Sequence, residues 1–152
     1  MTGGNPTILE PLRFRVYPDV RGGLFAYVIV FHAWKDFDWW SRHKWMLPST
    51  GRNYAGERTR VLGRCVPYER GRGGRLLPDF AEIGFCRKAL GTRIITHEVA
   101  HATHAWARRK RLLVDGDGDD VKRMAREELW AYAHGEMCAQ IVDRLYREGL
   151  LP

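Results

Sequence analysis

Gly91-Thr-Arg-Ile-Ile-Thr-His-Glu-Val-Ala-His-Ala-Thr-His-Ala-Trp106 sets Ile94, Ile95, Val99, Ala102, Ala105 and Trp106 at helical spacing. Gly91-Thr92 breaks the chain ahead of it, and Thr92 is placed to cap. The pattern therefore predicts a helix from Thr92 to about Arg111. Downstream, Leu112 to Asp119 reads as a connecting loop. A second helix is expected from about Asp119 to Arg147, ended by Gly149. Upstream the period shortens. Leu24 to Trp34, after Gly22-Gly23, is rich in β-branched and aromatic residues and reads as a buried strand. Trp34 to Trp40 alternates aromatic and polar residues, as around a turn or short helix. Ala81 to Cys86 alternates too and reads as a second strand with one exposed face. Residues 1–12 look like a loose lead-in, and 48–78, rich in Gly, Pro and Arg, like loop or hairpin-tip material. Strands followed by two helices give an α+β class, a single domain over 1–152 with an N-terminal antiparallel or mixed sheet.

Composition agrees with one globular unit. Of 152 residues, 45% are hydrophobic and 28% charged, a balance that excludes a largely disordered chain. The longest strongly apolar run, Leu24 to Phe31, falls far short of the roughly 20 residues of a membrane span, so no membrane association is expected. Nothing ahead of that run resembles a signal peptide. Three widely spaced cysteines, Cys65, Cys86 and Cys138, make neither a disulfide framework nor a CxxC pair, and a reducing cytoplasm is the expected location. The net charge of +7 hides an asymmetry: residues 1–114 hold 20 Lys/Arg against 9 Asp/Glu, and residues 115–152 hold 5 against 9. A basic N-terminal region of this kind meets nucleic acid or an acidic protein, or serves solubility alone.

Within the first helix, His97-Glu98-Val99-Ala100-His101 is an HExxH motif. Residues i and i+4 stack on one helix face, so two imidazoles can converge on one ion, and neutral imidazole is a good zinc ligand. The Glu beside the first His can take a proton from zinc-bound water. The competing reading is a pair of ordinary helix histidines. A catalytic zinc keeps three protein ligands and one open position, so a third donor is needed. His104 lies seven residues from His97, about 10 Å along an unbroken helix, which makes it a residue behind the ligands or in the cleft, or simply a polar side chain, rather than a co-ligand. The second helix offers Glu127 and Glu128. Positions 124, 128, 131, 135, 138, 142 and 145 form a stripe on which Glu128 is the only charge, and a lone carboxylate on a core-facing stripe calls for a metal or an arginine partner. Glu127 sits at the edge of that stripe, and His134 is a further alternative. Tyr132, one turn beyond Glu128, can donate a hydrogen bond to a ligand histidine or to substrate.

HExxH on one helix with a Glu on a later helix resembles the gluzincin group of zinc metallopeptidases. The resemblance implies His97, His101 and Glu128 as zinc ligands and Glu98 as general base. It departs from the usual ExxxD pattern, because Tyr132 stands where the Asp would be. The wider segment Arg64-Cys-Val-Pro-Tyr68, Glu82-Ile-Gly-Phe85, His97–His101 and Glu127–Tyr132 also looks like small zincin-like proteins of phages and mobile elements. In zincins the strand before the active helix is an edge that pairs with an extended peptide, which here implies Ala81 to Cys86.

Other signals are weaker. Asp115 to Asp120 fails as an EF-hand, because Asp120 and Arg126 stand where Gly and Glu are required. Arg70-Gly-Arg-Gly-Gly-Arg75 is one short RGG-like copy, and Trp39, Trp40 and Trp45 read as a satellite aromatic cluster. The expectation is a zinc-dependent peptidase acting on a peptide or protein. The alternative is a basic nucleic-acid-associated protein, SprT-like or with a non-catalytic zinc.

Overall fold

A computed structural model describes residues 9–45, 50–52, 58–68, 77–112 and 119–152. The chain is α+β. Its strands are β1 (Leu12–Val16), β2 (Phe25–Phe31), β3 (Thr50–Arg52), β4 (Arg58–Arg60), β5 (Gly63–Pro67) and β6 (Asp79–Cys86). Its helices are α1 (Trp34–Trp45), α2 (Thr92–Arg109) and the long C-terminal α3 (Asp120–Arg147). Four strands form a mixed sheet in the order β1-β2-β6-β5, and β3 and β4 pair as a separate two-stranded ribbon. β1 and β5 run antiparallel to their neighbours, whereas β2 and β6 are parallel. No helix among the described residues is long and apolar enough to cross a membrane.

β2 is covered on both faces, which accounts for its unbroken apolar run. Ala26, Val28 and Val30 point to the α2–α3 side. There they meet Ala81, Ile83 and Phe85 of β6, Ile95, Val99, Ala102 and Trp106 of α2, and Ala133, Met137, Ile141 and Leu145 of α3. Ile29 and Phe31 point the other way and join Phe37, Trp40, Val66 and Cys86 beneath α1. Each fully buried Ile or Phe on these faces contributes about 1.5–3 kcal/mol. α1 can lie this close only because residue 84 is glycine: a Cβ there would fall 2.3 Å from the Trp40 ring.

Several sequence expectations change in detail. The strand foreseen over Leu24–Trp34 stops at Phe31, and Trp34 opens a twelve-residue helix. Of the foreseen tryptophan cluster, Trp40 is buried, Trp39 is exposed and stacks on His43, and the Trp45 side chain lies outside the described residues. β1 begins inside what read as a lead-in; its alternation of Leu12, Phe14 and Val16 with Arg13 and Arg15 is a half-buried strand signature. Ala81–Cys86 is not the sheet edge. β6 lies between β2 and β5, so the outer position belongs to β5, drawn from the Gly- and Arg-rich stretch. α2 is capped by Gly91 rather than Thr92. α3 is capped by Asp119, whose side chain accepts from the N–H groups of Val121 and Lys122 at 3.0 and 3.3 Å. Gly149, at φ +67°, follows the last turn as expected. The Arg70–Arg75 segment and most of the Asp115–Asp120 loop lie outside the described residues.

Candidate metal centre

α2 is suspended between two neighbours that leave one of its faces open. The sheet and α3 bury Ile95, Val99, Ala102, Thr103 and Trp106. On the opposite face His97, His101, His104 and Arg108 follow one another at three- and four-residue steps and are exposed. The His97 and His101 rings lie 5.0 Å apart, edge to face. Partial burial, then the neighbouring His97 and His104, hold the His101 imidazolium below its ordinary range, so the neutral, metal-ready form is favoured.

Glu98 turns away from that face and into the wall formed by β5. It is only 7% exposed. Its carboxylate accepts a hydrogen bond from the backbone N–H of Cys65 and feels the Arg64 guanidinium. Burial outweighs both and pushes the carboxyl up to about 7. The close approach depends on Gly63, where a Cβ would lie 2.8 Å from Glu98 Cγ and 3.0 Å from Ile94 Cγ2. β5 and α2 run side by side in the same sense: Gly63 meets Ile94 and Glu98, while at the far end Arg109 donates to the carbonyls of Tyr68, Asp79 and Leu77. Between them opens a cleft of about 330 Å³ lined by Gly63, Arg64, Cys65, Glu98, His101, His104 and Arg108, with Val61 and Pro67 at its margin. This arrangement sets a carboxyl of near-neutral pKa, the His101 and His104 imidazoles and the outer strand of the four-stranded sheet around one space, and His97 is not among the described residues that line it.

α3 flanks the other side of the histidine row. Trp130 packs on His104 at 5.3 Å and stacks on His134 at 5.1 Å. His134 donates from Nε2 to the Thr96 carbonyl at 3.1 Å, so that nitrogen is engaged in holding the helices together. Glu128 is not on the core-facing stripe. The stripe runs through Trp130, Ala133, Met137, Ile141 and Leu145, and Glu128 falls on the outward face with Val121, Met124 and Tyr132, all exposed. Tyr132 is 74% exposed and does not line the cleft. Glu127, three residues before Trp130 and seven before His134, lies on the flank toward α2, where it pairs loosely with Arg123 at 3.9 Å. Among the described residues no three His, Cys, Asp or Glu side chains gather closely enough to hold a metal ion. The donor chemistry of the His97–His101 pair suits zinc, and the third protein donor is not brought to it.

The motif residues were legible from spacing alone. The cleft's second wall was not: Gly63, Arg64 and the Cys65 amide stand more than thirty residues before Glu98. Their local signal was the small apolar island at Cys65-Val66 inside a Gly/Arg-rich stretch. No family model matches the chain, and no curated protein or solved structure matches it.

Proposed function

We propose that the chain is a zinc-dependent peptidase that hydrolyses an extended peptide laid along β5. The observation that carries this reading is the placement of Glu98: it lies one residue from His97, is turned into the cleft, and is held there by the Cys65 amide of the strand that borders it. His97 and His101 would hold the metal, with the third donor from the Glu127–Glu128 pair. Helix phase favours Glu127, while the gluzincin resemblance favours Glu128. Zinc, when bound, polarises the scissile carbonyl and acidifies water. Glu98 takes the proton from the attacking water and delivers it to the leaving amine. Main-chain groups on the outer edge of β5 would orient the substrate, apart from the Cys65 N–H, which Glu98 engages, and Pro67, which has no N–H. Oxyanion support would come from His104 or Arg108, which line the cleft, rather than from Tyr132, which does not.

Metal content of the purified protein tests the reading, compared with Glu127→Ala and Glu128→Ala. About one zinc per chain, weakened by one of these two substitutions, is expected. Zinc indifferent to both, or no zinc from zinc-supplemented growth, overturns it. A nucleic-acid partner remains the second reading, favoured by Arg13 and Arg15. Both are exposed on β1, with Arg13 lying 4.2 Å over the Tyr27 ring and Arg15 4.4 Å over Phe25. Salt-sensitive DNA binding that survives EDTA is the result that would promote it.

A further inference from the structure

On the other side of the sheet, α1 borders a second concavity that the peptidase reading does not use. It is a pocket of about 180 Å³. Its lining comes from Phe31 and His32 at the end of β2, from Asp36, Trp39 and Trp40 of α1, and from the chain just ahead of β1. Asp36, Trp39 and Trp40 stand at i, i+3 and i+4, so one face of α1 carries a carboxylate beside two indoles. The rings are fixed in place. Phe31 and Trp40 are buried, with centroids 5.5 Å apart. Trp39 is 62% exposed, yet His43, one turn on, stacks on it at 4.7 Å and donates from Nδ1 to the Trp39 carbonyl at 3.0 Å. Along the helix Trp39 stands between Asp36 and His43. The stack therefore covers the ring on the His43 side and leaves its other face on the Asp36 side, toward the pocket it lines.

We propose that this pocket binds a small organic cation with a methylated ammonium head, about the size of choline. Charge complementarity gives the sign of the guest. Asp36 supplies a full negative charge, and the faces of Phe31, Trp39 and Trp40 are the negative ends of their ring quadrupoles. The rings also give its chemistry. A primary ammonium brings three N–H donors that ring faces satisfy poorly, whereas a methylated one spreads its charge over C–H groups that pack on rings and need no acceptor. The volume gives its size: cavities of about 150 Å³ accept a benzene-sized guest, so this one takes a free small cation whole. The site is independent of the zinc reading, because it lies on the α1 side of the sheet and the histidine cleft lies on the α2 side.

Heteronuclear NMR of the full chain tests the inference, following the Trp39 indole N–H and the α1 amides at constant ionic strength. Choline chloride should shift them saturably. The neutral carbon isostere of choline keeps the shape without the charge, and ethanolamine keeps the charge without the methyl groups; each should bind about tenfold more weakly. Trp39→Ala and Asp36→Asn should each weaken choline about tenfold. Neither side chain is buried, so the remaining amide spectrum should be unchanged. The isostere and ethanolamine comparisons on the parent protein test the claim without any substitution. No saturable shift with choline, equal binding of the isostere or of ethanolamine, or choline affinity indifferent to both substitutions overturns the inference. A peptide carrying one trimethyllysine is the last arm. Weaker binding than choline upholds a free small cation as the guest, and tighter binding gives the pocket to a protein partner and overturns that assignment.

Discussion

Glu98 is the residue on which the most depends, and its environment has a measurable signature apart from activity. A carboxyl raised in the folded state to about 7, from a usual 4.5, is neutral in both folded and unfolded chains at low pH. As pH rises from 4.5, the unfolded chain ionises first, so stability falls until the folded carboxyl also ionises near 7, and is level above that. In EDTA-treated protein, Glu98→Gln removes this loss. We expect the variant to be about 2–3 kcal/mol more stable than the parent at pH 8 and equal to it near pH 4, measured by urea denaturation. The opposite effect is expected on rate: zinc-loaded Glu98→Gln should lose about 10²–10⁴ in kcat, the contribution of a positioned base, while retaining its metal. Gly63 sits against the same side chain. Gly63→Ala puts a methyl 2.8 Å from Glu98 Cγ and 3.0 Å from Ile94, and should cost about 1–3 kcal/mol as overpacking. Gly63→Ala should also displace Glu98 and lower kcat, whereas Gly84→Ala, which meets the Trp40 ring under α1, should cost stability without entering the cleft.

At the scale of elements, what the sequence disclosed follows from range. α2 and α3 were legible because their periodicity extends over 18 and 28 residues, and because Asp119 and Gly149 carry local stop and start chemistry. Asp119→Ala should remove the two capping bonds and lower thermal stability by about 1 kcal/mol. The face of α3 was harder to read. Val121, Met124 and Leu129 are apolar yet exposed in its first half, so the pattern there supports a stripe through Glu128 as readily as the observed one through Trp130 and Ala133. That ambiguity misplaced Glu128 on the core side. β5 was hidden for another reason: a five-residue strand beginning with Gly and ending with Pro has almost no periodicity, and its position is fixed by pairing with β6. Arg64 and Arg108 looked like two of many arginines until that pairing brought one of them to each wall of the cleft. A site built within one helix can be read from spacing, whereas a wall contributed across a sheet cannot.

At the scale of the molecule, the sheet order ranks the strands by protection. β6 is bonded on both edges and buried on both faces, so native-state amide exchange should find Ile83 and Phe85 among the slowest protons. β5, the outer strand of the four-stranded sheet, should exchange faster than β6. Fast exchange throughout β6 would contradict the central placement. The parallel pairing of β2 with β6 has a further consequence, in the order of assembly. It joins residues more than fifty positions apart, Ala26 with Ala81, with α1, both ribbon strands and β5 in between. Such a contact forms late, because a long loop must close before it yields any stabilisation. α2 follows β6 after a single short 3₁₀ turn, Arg87–Ala89, so Glu98 and the histidine row reach their places only when β6 has been seated. During synthesis, β1, β2 and α1 leave the ribosome well before that moment. The chain therefore has no formed cleft while it is still being extended, and β2 waits with one edge unpaired until β6 arrives.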